Sequence, residues 1–338
     1  MKIVIKFKNI FKKIFKFLKL IFKEKIALSN KMTSNKTLNF PDFDDIKVST
    51  KTFIAMTNLK IDLNKLFEFL PITEYVVIPK KRGRKKKNSS EDPNIDIKSG
   101  SIITMKFENK LKGVDLKLKK NQTKKKPVKW FRNSFTVVIM VDNKKINFKI
   151  CSNGMLQLTG LKKDEHAQEC IKYIWDYIKD QKEIYSFRRG DNLEILLIPA
   201  MRNVDFSIGF IVDREKLAKY MSTQTEFHSL LETSFGYTGV NIKFPIDKNI
   251  LEMKIKKLKY IEGVWIEEIT DYSEYLSHLS EKERFKKINK ERYNTFLVFH
   301  SGRVIMSASC YDFAVNSYYY FLQIIRKCWH EIEEKLDM

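Results

Sequence analysis

The most reactive side chains in this sequence are histidines and cysteines, and their spacing indicates no reaction. None of the five histidines lies near a nucleophile or a paired-carboxylate motif, and the four cysteines lack the close pairing of a zinc site or of a disulfide-stapled domain. We therefore expect no enzymatic activity, no metal, no cofactor and a reducing compartment. These residues are His166, His228, His278, His300, His330, Cys151, Cys170, Cys310 and Cys328.

Positive charge offers a different chemistry, the binding of a polyanion. The chain has 64 Lys and Arg against 41 Asp and Glu, a formal net charge of +23, which suits nucleic acid or an acidic membrane surface. Within residues 80–87, Arg82 and Arg84 flank a glycine between lysines, a shape able to enter the narrow minor groove of AT-rich DNA. The same run is typical of a nuclear import signal or of a solvated loop. Abundant Lys, Ile and Asn throughout the chain also fit simple compositional bias.

The first 47 residues differ from the rest of the chain. Residues 1–27 alternate lysines with apolar residues too often for a spanning helix, which predicts a basic amphipathic helix able to contact a membrane or a partner protein. The alternative is a poorly ordered extension. Residues 28–47 are rich in Ser, Asn, Thr, Asp and Pro and are predicted to be a linker.

An internal duplication supplies the elements that would position functional groups. The stretch beginning at Asp62 matches the one beginning at Asp213, 151 residues later, and residues 152–160 match 300–308 at an offset of 148. Between them, Gly100-Ser-Ile-Ile matches Gly239-Val-Asn-Ile at an offset of 139. The matches stay in order, which indicates one supersecondary unit used twice.

Each unit has the same predicted plan of strand, helix, several strands and a closing helix. Asp62 and Asp213 are suited to cap the first helices, and the turns at Ser152-Asn153-Gly154 and Ser301-Gly302 are typical of hairpins. The first unit is assigned to 48–182, with basic inserts at 80–98 and 117–130, and the second to 183–338. We expect an α+β fold in which two sheets join edge to edge beneath helices.

These motifs resemble the TATA-box-binding protein family, particularly divergent members from large DNA viruses. The resemblance rests on Asn58-Leu59 with Ile61-Asp62-Leu63, on 152–160, on Tyr237-Thr-Gly-Val, and on Phe299-His-Ser-Gly-Arg-Val-Ile-Met-Ser307. It implies two pseudo-symmetric repeats forming a saddle, with a curved antiparallel sheet and helices on the convex face. It also implies double-stranded promoter DNA, general transcription factors and RNA polymerase as partners, in the nucleus or at a cytoplasmic viral replication site.

The resemblance assigns DNA-binding roles most completely in the second repeat. Phe299 and Tyr237 correspond to residues that wedge between base steps of a bent minor groove. Ser307 corresponds to a residue that contacts base edges, as does Thr159 in the first repeat. Two more residues correspond to phosphate contacts, Ser301 and Arg303.

The first repeat departs from the family pattern. Cys151 stands where a wedge phenylalanine is expected, and Met155 replaces a phosphate-contacting lysine, while Asn153 remains a candidate DNA contact in the hairpin. The second wedge position falls on Lys98 or on Phe135, depending on the alignment, and Phe135 is preferred. Kinking at this end and a preference for TATA sequences are therefore in question.

The leading hypothesis is a transcription-initiation factor that binds promoter DNA in the minor groove, bends it and recruits the transcription machinery. The alternative keeps the fold as a sequence-tolerant nucleic-acid-binding or assembly scaffold. An enzyme carrying such a fold as an appendage is the third hypothesis, which the lack of a catalytic motif disfavours.

Overall fold

The computed structural model describes residues 38–77, 94, 96–116, 132–232, 238–246 and 249–335. Some predicted features lie outside these ranges: the N-terminal helix over 1–27, Arg82 and Arg84, the insert over 117–130, and Tyr237. From Pro41 onward the chain belongs to one compact unit.

Fifteen strands are formed by the described residues. They are β1 (Val48–Thr57), β2 (Leu59–Ile61), β3 (Ile102–Phe107), β4 (Lys110–Gly113), β5 (Ser134–Val141), β6 (Lys144–Cys151), β7 (Met155–Leu161), β8 (Tyr185–Phe187), β9 (Leu193–Ser207), β10 (His228–Glu232), β11 (Gly239–Pro245), β12 (Lys254–Ile261), β13 (Val264–Asp271), β14 (Tyr293–Phe299) and β15 (Arg303–Ala308).

Thirteen of these strands form one antiparallel sheet. Eleven of the thirteen follow the order β10-β11-β14-β15-β9-β1-β7-β6-β5-β3-β4. The strands β1 and β9 pair with each other at its centre. The remaining two strands of the sheet form a hairpin, in which β12 pairs with both β13 and β9. A separate pair is formed by β2 and β8.

The described helices pack on one face of this sheet, apart from two short ones in the segment before β14. The helices are α1 (Leu63–Phe69), α2 (Glu165–Ile178), α3 (Arg214–Gln224), α4 (Tyr272–Ser277), α5 (Glu281–Ile288) and α6 (Tyr311–Ile332). Single 3-10 turns span Phe43–Asp45 and Ile250–Glu252.

The two predicted helix caps are confirmed. The carboxylate of Asp62 accepts hydrogen bonds from the backbone N–H groups of Asn64 (3.0 Å) and Lys65 (3.1 Å). The Asp213 carboxylate accepts one from Lys216 N–H at 3.0 Å, and this bond holds the pKa of Asp213 below its usual value. Each carboxylate satisfies backbone donors that a helix leaves unpaired at its start.

The core is apolar and rich in aromatic rings. In the first half, α1 and α2 pack on β5, β6 and β7, and Phe67 lies 6.1 Å from Phe135 between ring centroids. In the second half, the ring of Phe321 on α6 stacks on Phe296 of β14, with centroids 4.3 Å apart and planes at 9°. Alternate residues of these strands therefore face the helices.

The large antiparallel sheet with a few helices agrees with the predicted α+β class. One predicted match is wrong. It is the match of Gly100 with Gly239. Gly239 in β11 pairs with Phe299, and the residue that pairs with the corresponding Cys151 is Ser134 in β5. Ser134, and not Gly100 before β3, therefore has the place in the sheet that corresponds to Gly239. The added strand β4 and the insert beyond it account for the misplaced alignment.

The end of the predicted linker is part of the folded unit. Phe43, within residues 28–47, is buried, and its ring centroid lies 5.3 Å from that of Tyr318 on α6. The Tyr318 hydroxyl donates to the carbonyl of Pro41 at 2.6 Å. An aromatic anchor in a polar segment explains why composition alone predicted a linker here.

Candidate nucleic-acid interface

One face of the large sheet packs against α1, α2 and α6, and the face opposite is the candidate site. In β14, Phe296 and Val298 are buried toward the helices, while Leu297 and Phe299 alternate with them and are partly exposed. Because successive strand residues point to opposite sides, Leu297 and Phe299 lie on the face away from these helices. We call this the open face.

The hairpin between β14 and β15 presents most of the candidate residues of the second repeat. The backbone N–H of Gly302 donates to the carbonyl of Phe299 at 2.9 Å, and Ser301 and Arg303 are exposed at the turn. Arg303 and Ser307 lie on the open face because they alternate with buried residues of β15. An aromatic ring, a guanidinium and the Ser301 hydroxyl thus lie near one end of the open face, and Ser307 lies nearer the sheet centre, where it pairs with Asn203.

The hairpin between β6 and β7 has the same backbone turn but different side chains. Gly154 N–H donates to the carbonyl of Cys151 at 2.9 Å, so Cys151 occupies the position that Phe299 holds in the other hairpin. Burial raises the pKa of the Cys151 thiol, against the smaller opposing effect of Lys149. A neutral thiol offers far less surface for stacking on a base than a phenyl ring does.

Two further first-repeat candidates are engaged in local hydrogen bonds. The side-chain oxygen of Asn153 accepts from Met155 N–H at 3.2 Å, within the turn. The hydroxyl of Thr159 donates to the carbonyl of Asn147 at 3.2 Å on the open face. Both side chains stabilise their hairpin, and Thr159 also lies on the face proposed for DNA.

The structure places Phe135 in the core, which differs from its expected place as a wedge. Its exposure is 0%, and its ring lies 6.1 Å from the rings of both Phe67 and Phe107. Phe135 follows Ser134, which pairs with Cys151, so its side chain points to the helical side. A ring held there cannot reach a ligand on the open face.

Polar open-face residues outside the sequence motifs were missed. They include Asn203 near the sheet centre, whose partner across the pair with β1 is Thr50. The side-chain oxygen of Asn203 is buried and has no hydrogen-bond partner among the described residues. The signal for it was the alternation of polar with apolar residues in β9. Others on this face are Asn147, Lys149, Asn241 and Lys243.

The open face carries charges of both signs. Arg303, Lys243 and Lys149 supply positive charge on three strands. Asp205, which pairs with Ile305 and is exposed, places a negative charge on the same face. A polyanion lying across the sheet would therefore meet unfavourable as well as favourable charges.

Parts of the open face are covered by loops. At the outer strands, Val138 and Met140 of β5 are buried beneath a cluster that includes Tyr75 and Leu116. Lys145 closes this cover, since its ammonium donates to the Tyr75 hydroxyl at 2.7 Å. A second cover lies near the centre of the sheet, where residues of the segment before β14 bury Leu196 and Ile198.

Other classes of site are not supported in the part of the chain that the structure describes. No group of three or more His, Cys, Asp or Glu residues there could hold a metal ion. Among the same residues, every helix is too short or too polar to cross a membrane.

Comparison with known proteins gives relatives from large DNA viruses. No protein-family model matches the chain. It is 29% identical over 199 residues to the uncharacterized protein 335L of Invertebrate iridescent virus 6, covering 56% of this chain and 57% of that protein. It is 29% identical over 180 residues to a TATA-box-binding protein-like protein of Acanthamoeba polyphaga mimivirus, covering 46% and 49%.

The chain spans about half the length of the curated relatives it matches. Among solved structures, it is similar to the TBP of Methanococcus jannaschii at a TM-score of 0.41 and 14% identity, covering 85% of this chain and 99% of that one. The mimivirus match confirms the resemblance first seen in the hairpin motifs: the chain is similar to divergent viral TATA-box-binding protein-like proteins.

Proposed function

We propose that this protein is a TATA-box-binding-like transcription-initiation factor. Its open face binds promoter DNA in the minor groove and bends it, and its helical face recruits the transcription machinery. The observation that carries the proposal is the second hairpin, where Phe299, Arg303 and Ser307 lie together on the open face. These groups can respectively wedge between base steps, contact a phosphate and contact a base edge.

A saddle of two equivalent repeats is part of this proposal, and repeated backbone bonds support it. Ile61 N–H donates to Ser152 O at 3.0 Å, and Val212 N–H donates to His300 O at 2.8 Å. The first hydrogen bond connects the segment after β1 to the β6–β7 turn, and the second connects the segment after β9 to the β14–β15 turn. The strand order also runs outward from the central pair through β7, β6 and β5 on one side and β15, β14 and β11 on the other.

Minor-groove binding explains why the open face combines the ring of Phe299 with short polar side chains. The minor groove presents mainly acceptors in A·T pairs and adds a guanine amino group in G·C pairs. Asparagine and hydroxyl side chains can donate to those acceptors, and Asn203 lies near the centre of the sheet. We therefore expect a preference for AT-rich DNA.

The experiment that tests this function measures binding and bending together. Two duplexes of equal length, one AT-rich and one GC-rich, carry fluorophores at their ends, and energy transfer is recorded at physiological salt. We expect tighter binding and a shorter end-to-end distance for the AT-rich duplex. Equal affinity with straight DNA would instead favour a sequence-tolerant scaffold, because phosphate contacts do not distinguish the two duplexes.

The negative charge on the open face gives a further prediction. Replacing Asp205 with asparagine should tighten DNA binding roughly two- to five-fold at physiological salt, because it removes repulsion from nearby phosphates. Fluorescence anisotropy of the AT-rich duplex measures the change. Asp180→Asn is the matched control, since Asp180 is exposed just after α2, on the helical side. An equal gain in both variants would show that only net charge matters.

A further inference from the structure

We propose that the segment from Ile246 to Arg292 is a cap that excludes DNA from one end of the open face. This inference rests on the proposed function and deepens it, because it makes the DNA-binding surface one-ended. The segment, called the cap below, contains β12, β13, α4, α5 and the 3-10 turn Ile250–Glu252. DNA would then contact the half of the sheet that carries Phe299.

The cap leaves and rejoins the sheet at a single point. Pro245 at the end of β11 pairs with Tyr293 at the start of β14, and Ile246 N–H donates to the carbonyl of Arg292 at 3.1 Å. The two ends of the cap are therefore adjacent. It has the form of an insertion at the tip of the β11–β14 hairpin.

Strand pairing fixes the cap along the central strand β9. Residues of β12 pair with β9 from Lys256↔Leu197 to Tyr260↔Leu193, beyond the stretch of β9 that pairs with β15. Leu258 of the cap is fully buried in the core of the first half. The cap is therefore a built part of the sheet and not a loose loop.

The helical part of the cap lies on the open face. Ile195 and Leu197 belong to the core beneath α2, so Leu196 and Ile198 point to the opposite side. These two side chains are nevertheless only 2% and 6% exposed. They share a cluster with cap residues Ile250, Met253, Ile255, Tyr272, Tyr275 and Leu276, and with Phe313. Ile54 and Met56 of β1 pack against the same cluster.

Charged groups also hold α4 in place. The ammonium of Lys257 lies 2.6 Å from Glu274 Oε1 on α4 and 3.6 Å from Glu194 Oε1 on β9. Burial acts to raise the pKa of Glu274, but the hydrogen bonds from Lys257 and Thr270, together with the positive charge of Lys257, outweigh it and the pKa is lowered. The carboxylate therefore stays ionised at neutral pH and keeps the contact.

Equivalent positions at the two ends of the open face differ in polarity. Beside the first hairpin, Met56 pairs with Met155, and Met56 packs against the cap cluster. Beside the second hairpin, Ser207 pairs with Arg303, and both are exposed. Met56 loses contact with water where it packs against the cap, whereas the exposed Ser207 hydroxyl can hydrogen-bond to water or to DNA. The side chains beneath the cap are therefore suited to the cap and not to DNA.

The missing wedge agrees with this division. Cys151 occupies in the first hairpin the position that Phe299 holds in the second. The end of the sheet that lacks an aromatic wedge is thus the end where the cap packs against the neighbouring strand β1. Two independent observations, the side chain at the turn and the cover on β1, indicate that DNA is kinked at the second hairpin alone.

Thiol labelling tests the cap without DNA. Cysteine is introduced by Leu196→Cys, at a site 2% exposed beneath the cap, or by Ser207→Cys, at an exposed site of the same strand. Maleimide labelling is followed by mass spectrometry at each site. We expect labelling to be at least about ten-fold slower at position 196, because labelling there requires local opening of the cap. Similar rates at the two positions would overturn the cap, whether or not the protein binds DNA.

Hydroxyl-radical footprinting on the AT-rich duplex tests the one-ended surface. A variant in which residues 247–291 are replaced by Asn-Gly should protect sugars over a longer stretch than the wild type. If that variant does not fold, Glu274→Lys should loosen α4 and extend the footprint, whereas Glu281→Lys, at an exposed site on α5, makes the same charge change without loosening it.

The outcomes separate the two proposals. A wild-type footprint that already extends over both halves, unchanged by removal of the cap, would overturn the one-ended surface while supporting DNA binding. No footprint in any variant, with slow labelling at position 196, would reject the proposed function and leave the cap as a feature of the fold.

Discussion

Replacing Phe299 with alanine should weaken binding of an AT-rich duplex by about 2 kcal/mol, roughly thirty-fold, and should abolish most of its bending. The ring is placed on the open face beside the Ser301-Gly302 turn, and Cys151 at the corresponding position cannot replace it. Because the first hairpin has no aromatic ring at this position, the loss of Phe299 should not be compensated at the other end. Anisotropy and end-to-end energy transfer measure the two effects.

The matched control for this substitution is Phe69→Ala. Phe69 is 41% exposed and lies at the end of α1, on the helical side of the sheet. The Phe69→Ala substitution removes the same atoms as Phe299→Ala without changing the open face, so DNA binding and bending should stay at wild-type values. If Phe299→Ala bends DNA as well as the control does, the wedge assigned to Phe299 does not exist.

Replacing Gly302 with alanine should lower the free energy of unfolding by about 3 kcal/mol. Gly302 has a φ of +74°, and an added Cβ would lie 2.1 Å from the carbonyl oxygen of Phe210. That oxygen belongs to the backbone after β9 and cannot move aside as a flexible side chain can. The turn that positions Phe299 and Arg303 must then shift, so DNA binding should fall as well.

A second glycine separates the steric clash from the cost of the backbone conformation. Gly160 has a φ of +73°, and a Cβ added there would meet no atom within 4 Å, so Gly160→Ala should cost only about 1 kcal/mol. Urea unfolding of both variants gives the comparison. Equal losses of stability would show that the close approach to Phe210 does not constrain the turn.

The elements predicted best from sequence were those with strong local signals. Asp62 and Asp213 combine a capping carboxylate with an apolar helix that follows, and both begin helices as expected. The glycines of the two hairpins mark turns that need a positive φ, and each turn closes with a bond to the residue three positions earlier. Local chemistry determines these features, so they are visible without the rest of the chain.

Features that depend on which side of a strand a residue faces were harder to predict. Phe135 is aromatic and lies in a β-rich run, which fits a wedge as well as a core residue, and only the register of β5 with β6 places it inside. The cap was missed for a related reason. Its strand β12 reads Lys-Ile-Lys-Lys-Leu-Lys-Tyr-Ile, without the regular alternation of a half-buried strand, because its two faces contact different parts of the fold.

The net charge of +23 indicated a polyanion but not where it would bind. Among the described residues of the open face, the basic side chains include Arg303, Lys243 and Lys149, and Asp205 opposes them. Readout of the groove by the sheet, rather than charge alone, therefore has to supply much of the proposed selectivity. Selectivity for AT-rich over GC-rich DNA is what distinguishes the initiation-factor hypothesis from the scaffold hypothesis.

The most direct test of minor-groove binding uses inosine. An I·C pair presents the minor groove of an A·T pair and the major groove of a G·C pair, because it lacks only the guanine amino group. Affinity and bending are measured for matched A·T, I·C and G·C duplexes at one salt concentration. We expect the I·C duplex to bind and bend like the A·T duplex. An I·C duplex that behaves like the G·C duplex would contradict binding of the open face to the minor groove.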